Sequence, residues 1–131
     1  MDDTIPKTLE ECYLILNNIE DLDEWLSCNN EKSALVTVHH TIGRWIRNTW
    51  GLWQNEKNEL VLWFNDNEIK HPDDMSSIIL TSFYRYKKGF DINLEEQLEY
   101  YIEYWLDDKQ KLKRKREKKL NEIDGKKTML Y

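Results

Sequence analysis

LVTVHHTIGRWIRNTWGLW, residues 35–53, carries the clearest periodicity in the chain and decides its fold class. At about 100° per residue, Leu35, Val38, His39, Ile42, Gly43, Trp45, Ile46, Trp50 and Trp53 fall within one broad arc, with Thr37 and Arg44 opposite. The pattern predicts a long amphipathic helix from about residue 31 to 49, ending near Gly51. Gly43 lies on the buried arc, where a missing side chain permits close helix contact.

Helix signals continue on both sides. Upstream, Thr8-Leu9-Glu10-Glu11 is a capping box opening a short helix with Leu9, Tyr13 and Leu16 on one side. A second short helix with Ile19, Leu22, Trp25 and Leu26 follows, then a loop over 27–30. Downstream, the apolar run LVLWF at 60–64 fits one or two helical turns or a short strand, a choice its length does not decide, and is read as helix. His71-Pro72-Asp73-Asp74 reads as a helix start, with proline at the first position and carboxylates facing the positive end of the dipole. That helix is expected to bury Met75, Ile78, Ile79, Ser82, Phe83 and Tyr86 and to stop at Gly89. A last helix opens at Asn93-Leu94-Glu95-Glu96, with Leu94, Leu98, Tyr101, Ile102 and Trp105 as its buried stripe. The expected fold is all-α, a compact array of four to six helices around a Trp/Tyr-rich core.

At 131 residues the chain holds one ordinary core rather than two. Six Trp and seven Tyr supply it, each large aromatic burying roughly 150–250 Å². The net charge of −6 conceals a division. Residues 1–108 carry nine Lys and Arg against 22 Asp and Glu, a net of −13. Residues 109–131 carry ten against three, a net of +7. The expected organisation is a helical domain over 5–106 and a basic, flexible tail over 107–131, which has no apolar stripe to hold it against a core. The acidic body repels nucleic acid, so phosphate is attracted only by the tail, through Lys111, Lys113, Arg114, Lys115, Arg116, Lys118 and Lys119. An anionic membrane surface or an acidic partner would answer the same charge.

No stretch approaches the ~20 apolar residues of a membrane span, and the acidic start MDDTIPKTLEE lacks a signal-peptide core. Cys12 and Cys28 lack CxxC spacing, so two reduced thiols in the cytoplasm are expected.

Four stretches together resemble a known family: IPKTLEEC at 5–12, HHTIGRWIRNTWGLW at 39–53, IKHPDDMSSIILTSFYRY at 69–86 and INLEEQLEYYIEYW at 92–105. The pattern HxxxGxxIRNxWxLW, then HPDDMSxIIL, then LEEQxxYYxxYW is similar to that of a family of uncharacterised bacterial proteins known as a domain of unknown function. The resemblance implies a compact helical domain and carries no activity, cofactor or catalytic residue with it.

The polar residues coinciding with those motifs are His39, Arg47, Asn48, His71, Asp73, Asp74 and Arg85. As a cleft, they would offer histidines for acid–base chemistry and an arginine fork for a carboxylate or phosphate. Each also has a structural role to play. His39 lies in the apolar arc as a core histidine would, His71 to Asp74 start a helix, and Arg47 is placed for an ion pair or helix clamp. No metal or other cofactor is expected, since the ligands lack metal-site spacing and no glycine loop cradles phosphate. The Trp45, Trp50, Trp53 and Trp63 cluster is expected in the core. Tyr84 and Tyr100 project away from their helices' buried stripes, as an exposed aromatic interaction surface would. The leading expectation is a small acidic protein-binding module of adaptor, inhibitor or immunity type, without catalysis. An enzyme or ligand binder using the His/Arg/Asp cleft is the first alternative, and a nucleic-acid accessory protein acting through the basic tail is the second.

Overall fold

A computed structural model describes residues 5–20, 22–53 and 57–129, with side chains as far as Ile123. Among them are eight α-helices and no strand: α1 (Leu9–Leu16), α2 (Asp23–Ser27), α3 (Glu31–His39), α4 (Ile42–Thr49), α5 (Glu59–Asp66), α6 (Pro72–Lys88), α7 (Leu94–Tyr104) and α8 (Asp108–Met129). The all-α class is as expected. The count exceeds four to six partly because the helix expected over 31–49 is two helices.

The break between α3 and α4 has a local cause. Thr41 turns both its amide and its hydroxyl back to the Val38 carbonyl, at 3.2 and 3.3 Å. That carbonyl is thereby held in a tighter turn than the α-helical ladder, a known competition between threonine hydroxyls and helix continuation. Thr41 takes φ −105° and ψ −87°, outside helical values. Restarting at Ile42 rotates the apolar face. α4 buries Gly43, Ile46 and Arg47, while Trp45 and Trp53, both expected in the core, stand exposed.

Side-chain caps fix the starts of α1, α3 and α5. The Thr8 hydroxyl accepts from the Glu11 amide at 3.2 Å, and the Glu11 carboxylate reaches one residue beyond the cap to the Lys7 amide at 2.5 Å. Asn30 caps α3 through Ser33, and Asn58 caps α5 through Val61. Asn58 also donates to the Trp50 and Gly51 carbonyls at 2.8 and 3.2 Å, tying the end of α4 to the start of α5. Each such cap stabilises its helix by about 1 kcal/mol. Gly89 ends α6 in the left-handed conformation, φ 74°, which glycine adopts without a Cβ clash. Asn93 immediately precedes α7 as expected, its carbonyl accepting from the Gln97 amide at 3.1 Å, but with φ 49° rather than the extended backbone typical of a cap.

From Met75 to Tyr84, α6 is buried at every position but Ser77, and it packs against α1, α2, α3 and α4. The aromatic part of this core is Trp25, Trp50, Phe64, Phe83 and Tyr84, with Tyr13 at its edge. Trp25 stacks on Phe83 at 6.3 Å and donates its indole N–H to the Ala34 carbonyl at 2.9 Å, so its polar atom is satisfied inside. Tyr86, expected inside, keeps one face in solvent while its ring stacks on Tyr13 at 5.0 Å.

The chain divides into two compact units, Met1–Leu98 and Glu99–Tyr131, with the boundary inside α7. The stripe expected to bury α7 is half-buried at most, and Trp105 is exposed. In the second unit, α7 stops before Trp105. Asp107 and Gln110 then form a reciprocal capping box: the Gln110 amide donates to the Asp107 carboxylate at 2.7 Å, and the Asp107 amide to the Gln110 side chain at 3.0 Å. Residues 108–129 are accordingly a separate helix, α8. Arg114 lies 3.0 Å from Glu99, and Lys118 lies 2.7 Å from it. No helix among the described residues is long and apolar enough to cross a membrane.

Candidate functional site

Arg47 is the centre of the polar constellation at the start of α6, and it is 6% exposed. Its Nη1 donates to the Ser76 hydroxyl at 2.9 Å, and its Nη2 to the His39 carbonyl at 3.2 Å. Its Nε lies 3.3 Å from Asp73 Oδ1. The three partners come from the end of α3 and the first turns of α6, so one side chain from α4 joins three helices. Burying a guanidinium demands such a set of partners. The break at Thr41 contributes too, because it leaves the His39 carbonyl at an open helix end.

Gly43 makes room for this. A Cβ on Gly43 would lie 3.0 Å from Arg47 Nη1. The same Cβ would lie 3.5 Å from the Val38 carbonyl and 3.7 Å from Leu80, so the glycine permits both the close helix contact expected of it and a side chain of its own helix lying flat.

His71 serves as the N-cap of α6 in an uncommon way: its ring Nδ1 accepts from the Asp73 amide at 3.0 Å. A neutral ring accepting at Nδ1 carries its proton on Nε2. Trp53 stands edge-on to the same ring at 6.2 Å. Asp73 Oδ2 lies 3.8 Å from His71 Nδ1, so the Asp73 carboxylate faces both Arg47 and His71. His39 is half-buried, and its ring is held below the ordinary histidine pKa by burial first and by the Arg47 charge second, against a smaller raising effect of Asp73.

The seven polar residues do not assemble into one site. His39, Arg47, His71 and Asp73 meet where α3, α4 and α6 join, and Asp74 stands in the same first turn of α6. Asn48 is exposed. Arg85 lies nine residues past Ser76, roughly 14 Å along the helix, where it pairs with Glu31 at 2.9 Å and donates to the Ile92 carbonyl at 2.6 Å. Among the described residues no three of His, Cys, Asp and Glu gather to hold a metal ion.

Tyr84, expected on an exposed patch, is 1% exposed. Its hydroxyl donates to the Cys28 carbonyl and its ring packs 5.8 Å from Trp25. Burial on nearly all sides of α6 defeats an argument from one stripe. Tyr100 is exposed, as expected. Of the tail cations, Arg114 and Lys118 pair with Glu99, while Lys111, Lys113, Lys115, Arg116 and Lys119 are exposed.

Ser76 and Gly43 were missed as partners of Arg47, and Trp45 as a surface residue. The Ser at the sixth position of HPDDMS and the glycine one turn before Arg47 were the available signals. Trp45 is 40% exposed and, with Ile19, Thr41 and Ile42, lines an apolar groove of 460 Å³. The groove shares no residue with the polar constellation.

The family described as a domain of unknown function, DUF6794, matches residues 5–87, and the chain belongs to that family. The match spans α1 to α6 and ends before α7. No curated protein and no solved structure matches the chain.

Proposed function

We propose that this chain is a protein-binding module of adaptor, inhibitor or immunity type, without catalysis, that takes a basic partner through an apolar anchor on the α4 groove. The observation carrying this reading is Trp45, part-exposed beside Ile19 and Ile42. Tryptophan is the residue type most enriched among interface hot spots. Exposed Glu20, Asp23 and Glu24 follow Ile19 in the chain, and residues 1–108 carry a net charge of −13, which speeds encounter with a cationic surface. The rival enzyme reading loses its arginine, since Arg47 is buried and held by three groups of its own fold. The free thiols of Cys12 and Cys28 fit a reducing compartment such as the cytoplasm.

Affinity capture with the full chain, quantified against Trp45→Ala and His71→Ala, tests this. The expected partner is basic, is lost with Trp45→Ala, and is retained with His71→Ala. A partner that ignores Trp45 and disappears with His71→Ala would overturn the proposal in favour of the polar constellation.

A further inference from the structure

α8 carries cations all round, some of them between its aliphatics, and its contacts within the second unit set one side apart. Arg114 and Lys118, four residues apart, turn to Glu99. Opposite them, at about 100° per residue, lie Leu112, Leu120 and Ile123. These three are 52%, 60% and 49% exposed, on a helix that offers them no core. Lys115 and Lys119 flank this ridge on one side and Lys113 on the other, with Lys109 and Arg116 inside it, an arc of roughly 160°. Asp108, at the first helical residue, is the one described carboxylate within the arc; Glu117 and Glu122 fall outside it. At the start of this unit, Tyr100, Tyr104 and Trp105 are also exposed.

We infer that the free face of α8 is a docking surface for an anionic lipid membrane, on which the helix lies in the plane of the headgroups. This surface is independent of the Trp45 groove. Charge gives the sign of the partner: five cations and a single carboxylate select an anionic surface. The aliphatic ridge gives its kind. A nucleic-acid backbone offers Leu112, Leu120 and Ile123 nothing to bury against, whereas the acyl boundary of a bilayer does. A partner helix is disfavoured by Arg116, which interrupts the ridge between Leu112 and Leu120 where knobs-into-holes packing needs an apolar residue. On a bilayer the same arginine and the flanking lysines lay their stems along the apolar boundary and keep their charges among the headgroups.

The test is sedimentation of the full chain with vesicles of phosphatidylcholine alone and of phosphatidylcholine mixed with phosphatidylserine. Binding is expected to the mixed vesicles and not to the neutral ones. Lys113→Gln/Arg116→Gln/Lys119→Gln is expected to weaken it about a hundredfold. Leu112→Ala/Leu120→Ala/Ile123→Ala, which keeps helix propensity, is expected to weaken it about tenfold or more. The inference is overturned by no sedimentation, by equal binding to neutral vesicles, or by wild-type binding in the triple-alanine variant. Tighter binding to a duplex oligonucleotide than to the mixed vesicles would overturn it as well, and assign the face to nucleic acid.

Discussion

Arg47 Nη1 and the Ser76 hydroxyl meet at 2.9 Å across 29 positions of sequence, and the same hydroxyl donates onward to the Asp73 carbonyl at 3.0 Å. Ser76 therefore fixes the arginine fork and the first turn of α6 at once. With Asp73 and the His39 carbonyl it closes a small polar joint inside an apolar fold. Hydrogen bonds to a charged group in such a setting contribute about 1.5–3 kcal/mol each, and losing one partner strands the others.

Replacing Arg47 by methionine is accordingly expected to destabilise the domain by about 2–3 kcal/mol, measured by urea unfolding. Gly43→Ala sharpens the argument. Alanine raises helix propensity by about 1 kcal/mol, but its Cβ would press on Arg47 Nη1 at 3.0 Å, and Arg47 cannot retreat without lengthening three contacts. The expected result is a net loss of about 1 kcal/mol in the native background and a gain in the Arg47→Met background. The same sign in both backgrounds would show that the guanidinium does not set the need for glycine.

His39 is expected to titrate below the ordinary histidine value, 6.5, because burial and the Arg47 charge oppose its protonation. The folded state then binds this proton less readily than the unfolded state. Neutral His39 costs nothing above pH 6.5, and stability falls as pH drops from 6.5 towards the folded value. Asp73→Asn removes the one raising influence and should lower the His39 value further. NMR titration of the ring in both proteins checks the direction, and an upward move in the variant would contradict it.

Much of this was legible in the sequence, for reasons that differ by residue. The capping box at Thr8, the proline start at Pro72 and the stop at Gly89 are local chemistry, and local chemistry survives folding. The helix over 31–49 failed because one threonine hydroxyl at 41 outweighed a periodicity that ignores side-chain hydrogen bonds. The error of phase at Trp45 descends from that break, whereas Trp53 lies beyond α4, past Gly51 at φ 63°. Tyr84 was misplaced because a helix packed by four others has no outer face for a stripe to reveal. Arg47 was read rightly as a clamp candidate, but Ser76 lies 29 residues away and no pattern links the two.

The two thiols should separate cleanly. Cys12 is fully buried on α1, and burial, reinforced by Glu11, pushes its thiol far above the ordinary value. A thiol reagent acts on the thiolate and needs access. Native protein is expected to label at the half-buried Cys28 and to leave Cys12 unmodified until denaturant is added, as mass spectrometry would show. Native labelling at Cys12 first would mean that α1 opens more readily than the core around it.

Tyr84→Phe tests the buried hydrogen bond that ties α6 to the loop before α3. The Tyr84 hydroxyl donates to the Cys28 carbonyl from a fully buried ring. Removing it leaves a carbonyl short of a partner and the ring packing intact, so a loss of about 1 kcal/mol is expected on urea unfolding. A neutral result would place that carbonyl in contact with water.

Glu99 gives the second unit its own acid transition. Hydrogen bonds from Arg114 and Lys118 overcome the opposing effect of burial and hold its carboxyl down to about 2, against an ordinary 4.5. The paired state therefore binds this proton less readily than the unpaired one. The stabilisation is complete above pH 4.5 and is lost as pH falls from there through about 2. What it stabilises is α8, whose other contacts are exposed and whose ridge meets no core. Carbon chemical shifts across residues 108–118 should report a loss of helix over that window, while the buried Trp50 indole signal remains native. In Glu99→Gln the same residues should be less helical at neutral pH and should change less between pH 4.5 and 2. The difference between the two proteins isolates Glu99 from the carboxylates of α8 itself. Identical profiles would mean that α8 keeps its helix by propensity alone, and that Arg114 and Lys118 join its free basic face.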